Sequence, residues 1–99
     1  MAAPRGSKVF AARKGRIVYA GRAGGYGLLV VVRHSLGYKT YYGHLSKIKV
    51  RKGQKITTSQ VLGLVGSTGK STGPHLHFEI RRKGRNKNPQ SMVRGLEHN

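Results

Sequence analysis

Apolar and polar positions alternate in short runs bounded by glycine along most of the chain, and no window carries a capped helical period. The alternation predicts strands at Lys8 to Ala12, Gly15 to Ala20, Gly27 to His34, Tyr38 to His44, Lys55 to Thr57, Val61 to Val65 and His75 to Arg82. Between them RKG, GRAGGYG, SLG, RKGQ, GSTGKSTGP and RKGRN provide the turns, where glycine accepts the positive φ of tight reversals. Leu45, Ser46 and Lys47 read as a polar exit from the strand ending at His44. GRIVYA from Gly15 and GQKITTSQVLGL from Gly53 echo one another weakly, as hairpins of similar chemistry do. Short, evenly spaced strands predict an all-β sandwich or barrel. One domain over residues 1–90 and a patternless tail over 91–99 complete the division.

A chain of 99 residues buries a modest core, which excludes an elaborate interior. Leu28 to Val32 is the longest apolar run, far below the roughly 18 residues of a membrane-spanning helix, so no span is predicted. The N-terminal stretch lacks the apolar run of roughly 7 to 15 residues that marks an export signal. Cysteine is absent, which removes disulfides, thiolate catalysis and Cys-ligated metals together.

Charge changes this picture most. Twenty Lys and Arg stand against 2 acids, a formal +18, concentrated at Lys47 to Lys55 and at Arg81 to Lys87. Such a field speeds association with any polyanion: nucleic acid, anionic lipid or an anionic wall polymer. Nucleic acid is admitted by charge alone, because five of the seven aromatic residues lie between Tyr19 and Tyr42, outside both basic clusters.

Histidine supplies the candidate chemistry. His75 and His77 are one residue apart, so on a strand both imidazoles face one way with Leu76 turned opposite, a pairing suited to a metal or to a polar surface. His44 and His34 each end a predicted strand, and a hairpin could bring either near the pair; His98 lies in the tail. The preceding GSTGKSTGP, with Ser67, Thr68, Ser71 and Thr72, lacks the spacing of a phosphate-binding loop. It reads as a glycine-permitted loop approaching a groove floor, with Pro74 fixing entry to the strand.

Taken together, GSTGKSTGPHLHFEI (66–80), YYGHLSKI (41–48) and GGYGLLVVVRH (24–34) closely resemble the lysostaphin/LytM-type zinc metallopeptidases, which cut peptidoglycan cross-links. The resemblance implies a compact antiparallel β-sheet or sandwich of the duplicated hybrid-motif kind, with short loops walling a groove. It implies zinc, with His77 as the metal ligand, His44 and His75 as catalytic residues, His34 as a supporting residue and Ser67, Thr68, Ser71 and Thr72 in the groove loop. Peptidoglycan and anionic wall polymers are the implied partners, and the cell envelope or extracellular space the implied location.

Two departures accompany the resemblance. The family's HxxxD motif, which carries two of three zinc ligands, would fall before Ala2, and the sequence has no Asp; Glu79 and Glu97 do not obviously stand in for it. The domain thus reads as N-terminally truncated relative to the family, with an incomplete metal site and doubtful zinc retention. Zinc-dependent endopeptidase chemistry, a peptidoglycan-binding or hydrolase-regulating module without chemistry, a three-imidazole site of His44, His75 and His77, and a basic nucleic-acid binder all remain open. The second departure is Ser59, where the family usually has Gly before the Gln, and a local change of turn is expected there.

Overall fold

The computed structural model describes residues 4–66, 76–82 and 85–87, with only the backbone of the last three. His75, the loop with Ser67, Thr68, Ser71 and Thr72, and the tail lie outside the described residues.

Strands form where the sequence alternates: β1 Lys8–Phe10, β2 Gly15–Arg22, β3 Leu28–Arg33, β4 Tyr38–Ile48, β5 Lys55–Ile56, β6 Val61–Val65, β7 His77–Arg82 and β8 Arg85–Lys87. Two single 3₁₀ turns, Gly24–Tyr26 and Ser35–Gly37, join β2 to β3 and β3 to β4. All the pairings are antiparallel and run in the order β1-β6-β4-β3-β2-β5, with β7 added to β4 and β8 to β7. The all-β antiparallel fold expected from the sequence is therefore the fold found.

Three details differ from expectation. β4 does not stop at His44 but continues to Ile48, because His44 takes a left-handed φ of 59° and the strand turns rather than ends. That bend lets one strand serve two partners on the same edge: β7 along Tyr38 to Gly43 and β6 along Leu45 to Ile48. β2 runs on to Arg22, and Arg85–Lys87, expected as a turn, pairs with β7.

The sheet curls until its two ends meet. The backbone of the 53–60 segment bonds β2 through Gly53 and Gln54 and the exit of β1 through Ser59 and Gln60. Inside the curl, Val9, Ile17, Val30, Val32, Leu45 and Leu62 pack around Tyr42, which is 1% exposed. Burial of such side chains stabilises by about 1.5–3 kcal/mol each relative to exposure, so this one cluster supplies most of the cohesion of a small domain. The Tyr42 hydroxyl accepts from Ala12 N–H at 3.0 Å and lies 2.9 Å from the Thr40 hydroxyl, which in turn meets His34 Nε2 at 2.7 Å. His34 Nδ1 donates to the Lys14 carbonyl at 2.8 Å. The chain of bonds pins the 12–14 loop to the middle of the sheet.

The departure at Ser59 has a structural correlate: Ser59 sits at φ 66°, in the region that favours glycine, with its N–H bonded to the Ala11 carbonyl at 2.9 Å. A left-handed conformation costs an L-residue about 1–2 kcal/mol. Ser59→Gly is therefore expected to stabilise the fold by about 1 kcal/mol, less some unfolded-state entropy, as read by a higher urea midpoint. An unchanged or lower midpoint would mean that Ser59 makes a compensating contact.

Candidate functional site

The site forms where β7 meets the bend of β4. Gly43 stands directly opposite His77, and His44 follows it, 5% exposed and held at positive φ. A buried, non-glycine residue in that conformation is a strained position of the kind that clusters at active sites. The His44 and His77 rings meet edge-on with centroids 5.6 Å apart. Tyr26, delivered by the turn after β2, closes the other side, its ring edge-on to His77 at 5.5 Å. Gly43 makes this possible, since a Cβ there would stand 3.1 Å from Tyr26 Cδ1.

Strand parity then adds a polar cluster. His77, Glu79 and Arg81 alternate on one face of β7, and Tyr41 lies opposite Glu79 on β4. The Glu79 carboxylate accepts from His77 Nε2 at 2.7 Å, from the Tyr26 hydroxyl at 3.0 Å to each oxygen, and from Arg81 Nε at 3.0 Å. Arg81 also donates to the Tyr26 hydroxyl at 2.5 Å and lays its guanidinium over the Tyr41 ring, 4.2 Å from the centroid. Burial works to raise the Glu79 pKa, but hydrogen bonds from His77, Tyr26 and Arg81, with the Arg81 charge, outweigh it and hold the carboxyl below its ordinary range. Burial and the Glu79 hydrogen bond push the Tyr26 phenol up, so it remains a donor.

This arrangement sets the His77 tautomer. A carboxylate can only accept, so Nε2 carries the proton and, in the neutral ring, the free lone pair is on Nδ1. A second partner that fixes a ring in this way is how ligating and proton-moving imidazoles are commonly oriented.

The sequence-derived residues separate in space. His44 and His77 come together, whereas His34 stands at the opposite end of β4, beside Thr40, with both ring nitrogens bonded. His75 and the four hydroxyl residues of the loop fall outside the described residues. Tyr26, Tyr41, Glu79 and Arg81 were not among the expected site residues. Parity alone would have placed Glu79 and Arg81 on the His77 face, but Tyr26 is 53 residues from its partner Glu79.

Two imidazoles are suitable donors for zinc, but a zinc site takes three protein ligands when catalytic and four when structural. Among the described residues no group of three His, Cys, Asp or Glu stands close enough to hold a metal. The described donor set is therefore not a complete zinc site. Two clefts, of about 550 and 410 Å³, open at the other end of the sheet, and His34 lines both.

The model of Peptidase family M23 matches residues 1–89. The DD-carboxypeptidase/endopeptidase Mpg of Neisseria meningitidis is 48% identical over 92 residues, which is 93% of this chain and 21% of that protein. Murein hydrolase activator NlpD of Escherichia coli is 41% identical over 90% of this chain and 24% of its own length, so the chain spans about a quarter or less of these two relatives. Among solved structures, the catalytic domain of the antimicrobial peptidase lysostaphin from Staphylococcus simulans superposes with a TM-score of 0.84 and 33% identity, covering 93% of this chain and 74% of that one.

Proposed function

The chain belongs to peptidase family M23, and from that premise we propose that it is a peptidoglycan endopeptidase-type domain whose groove at His44 and His77 takes the peptide cross-links of the cell wall. The observation that carries this reading is the pairing of a buried, backbone-strained His44 with a His77 whose Nε2 is bonded to Glu79. One imidazole with a free Nδ1 lone pair and a second imidazole beside it can hold and move a proton at an amide lying along β7. No step is assigned to a metal, because the described side chains do not complete its ligand set.

A second reading keeps the groove and drops the chemistry: a wall-binding module that activates other hydrolases. The similarity to a relative named as a murein hydrolase activator favours it. Both readings place the wall peptide at the same end of the sheet and the protein at the cell envelope.

One experiment tests the shared claim and divides the two readings. The purified chain is incubated with sacculi, with and without zinc, and bound protein, released muropeptides and zinc per chain are measured. The double variant His44→Ala/His77→Ala is expected to bind sacculi at least tenfold more weakly than wild type; equal binding overturns the assigned site. Muropeptide release with near-stoichiometric zinc identifies the enzyme, and binding without release identifies the module.

A further inference from the structure

A row of cations crosses the sheet on the face that carries His77. In the strand register Lys55 pairs with Arg16, Arg16 with Arg33, and Arg33 with Lys39, spanning β5, β2, β3 and β4. Directly opposed residues of antiparallel strands point to the same face, and like charges so placed destabilise a sheet. All four side chains are exposed. Lys39 shares strand parity with Tyr41 and Gly43, and Gly43 is opposite His77, so Lys39, the near end of the row, lies four residues, about 13 Å, along β4 from the histidine pair on the same face.

The fold assembles these charges rather than tolerating them singly. Gly15 lets β2 press against the end of β3: a Cβ there would stand 2.3 Å from the Arg33 carbonyl oxygen. Arg16 Nη1 is tethered to the Gly53 carbonyl at 3.1 Å, and Lys14 is fixed through its N–H to Thr58 and its carbonyl to His34. Lys14, Arg16, Arg33 and Lys55 together line the cleft of about 550 Å³. Among the described residues the only carboxylate side chain is Glu79, which is already bonded by His77, Tyr26 and Arg81.

We propose that the Lys55–Arg16–Arg33–Lys39 row is a second binding site, an anion stripe that holds carboxylates of the peptidoglycan stem peptides while the histidine end takes the cross-link. This rests on the wall-directed reading above and adds to it where, and by what chemistry, the polymer is gripped. Guanidinium groups match carboxylates in a bidentate fork, and the face shared with His77 makes the occupant the polymer already in the groove. Tyr19 and Tyr41 align on this same face, so nucleic acid is the alternative occupant that the DNA arm of the test must exclude.

The test compares two double variants that remove equal charge from exposed positions: Arg33→Gln/Lys39→Gln in the row, and Lys47→Gln/Lys49→Gln outside it. Co-sedimentation with purified sacculi is measured against salt, alongside sacculi whose carboxyl groups have been amidated and a duplex DNA. The row variant is expected to bind sacculi at least tenfold more weakly with a shallower salt dependence, while its Tm stays level or rises as opposed charges are relieved. The outside variant should fall less than threefold, and amidated sacculi should bind wild type as weakly as native sacculi bind the row variant. Equal losses in the two variants would mean net charge alone and overturn the stripe. Undiminished binding to amidated sacculi would overturn the carboxylate assignment, and tighter binding to DNA than to sacculi would overturn the wall polymer as occupant. Failure of the groove reading is separable, because His44→Ala/His77→Ala leaves the row intact.

Discussion

Tyr42→Ala is expected to lower stability by about 4 kcal/mol, the largest effect of any single substitution considered. Tyr42 is 1% exposed at the centre of the apolar cluster, its ring 5.3 Å from that of Phe78, and its hydroxyl ties Ala12 and Thr40 together. Truncation opens a cavity and also frees the bonded chain leading to His34. Tyr42→Phe separates these contributions: the packing stays and only the hydroxyl is lost, for about 1 kcal/mol. Burial raises the Tyr42 pKa above 10.0, more than the hydrogen bonds from Ala12 N–H and the Thr40 hydroxyl lower it. The sign follows: a group whose folded pKa is raised contributes stability below its unfolded value and loses it as the pH rises through the folded value. Urea melts from neutral to above pH 10 should therefore show Tyr42→Phe losing less stability than wild type. Parallel losses would remove Tyr42 from the alkaline transition.

Glu79→Ala is expected to lower stability by about 2 kcal/mol and to release the His77 ring. Breaking a buried ion pair from one side costs about 3–5 kcal/mol. Here the Arg81 side chain is 28% exposed against 14% for Glu79, so water takes up part of the loss. The functional consequence is larger than the energetic one. Without the carboxylate nothing in the polar cluster selects Nε2 as the protonated nitrogen of His77, and both Tyr26 and Arg81 lose their shared acceptor. Imidazole nitrogen resonances of the purified protein report this directly: wild type should show one tautomer at His77, Glu79→Ala a mixture, and Glu79→Gln, which still accepts from Nε2–H, the wild-type pattern. A single unchanged tautomer in the alanine variant would show that Glu79 does not orient the ring. Binding to sacculi should weaken with the mixture and recover in the glutamine variant.

Much of the fold follows from local pattern. β3 and β6 alternate or run apolar over the lengths that the sequence predicts, because Leu28–Arg33 and Val61–Val65 are bounded by residues that break strands or turn them. β4 escapes the same reading. Its continuation past His44 depends on a left-handed φ that histidine does not favour, imposed by β6 pairing on one side of the bend and β7 on the other. β8 escapes it as well, since RKGRN has turn composition, whereas Arg85–Lys87 take strand geometry by pairing with β7. In the candidate site, the strand containing His77 and the candidacy of His44 were readable from spacing and resemblance. Glu79 looked isolated because its partners Tyr26 and Arg81 gather around it only after β2, β4 and β7 are folded together.

The sequence by itself determined the all-β character, the position of most strands, the family resemblance and the excess of positive charge, because alternation, glycine placement and residue counts are local or additive properties. Tertiary structure alone decided which of those residues meet. The bend at His44 brings its ring to His77, the turn at Gly24–Tyr26 delivers a phenol to Glu79, and the register of four strands aligns Lys55, Arg16, Arg33 and Lys39. Contacts between residues tens of positions apart are set by strand pairing and burial, and these are properties of the closed sheet rather than of any segment within it.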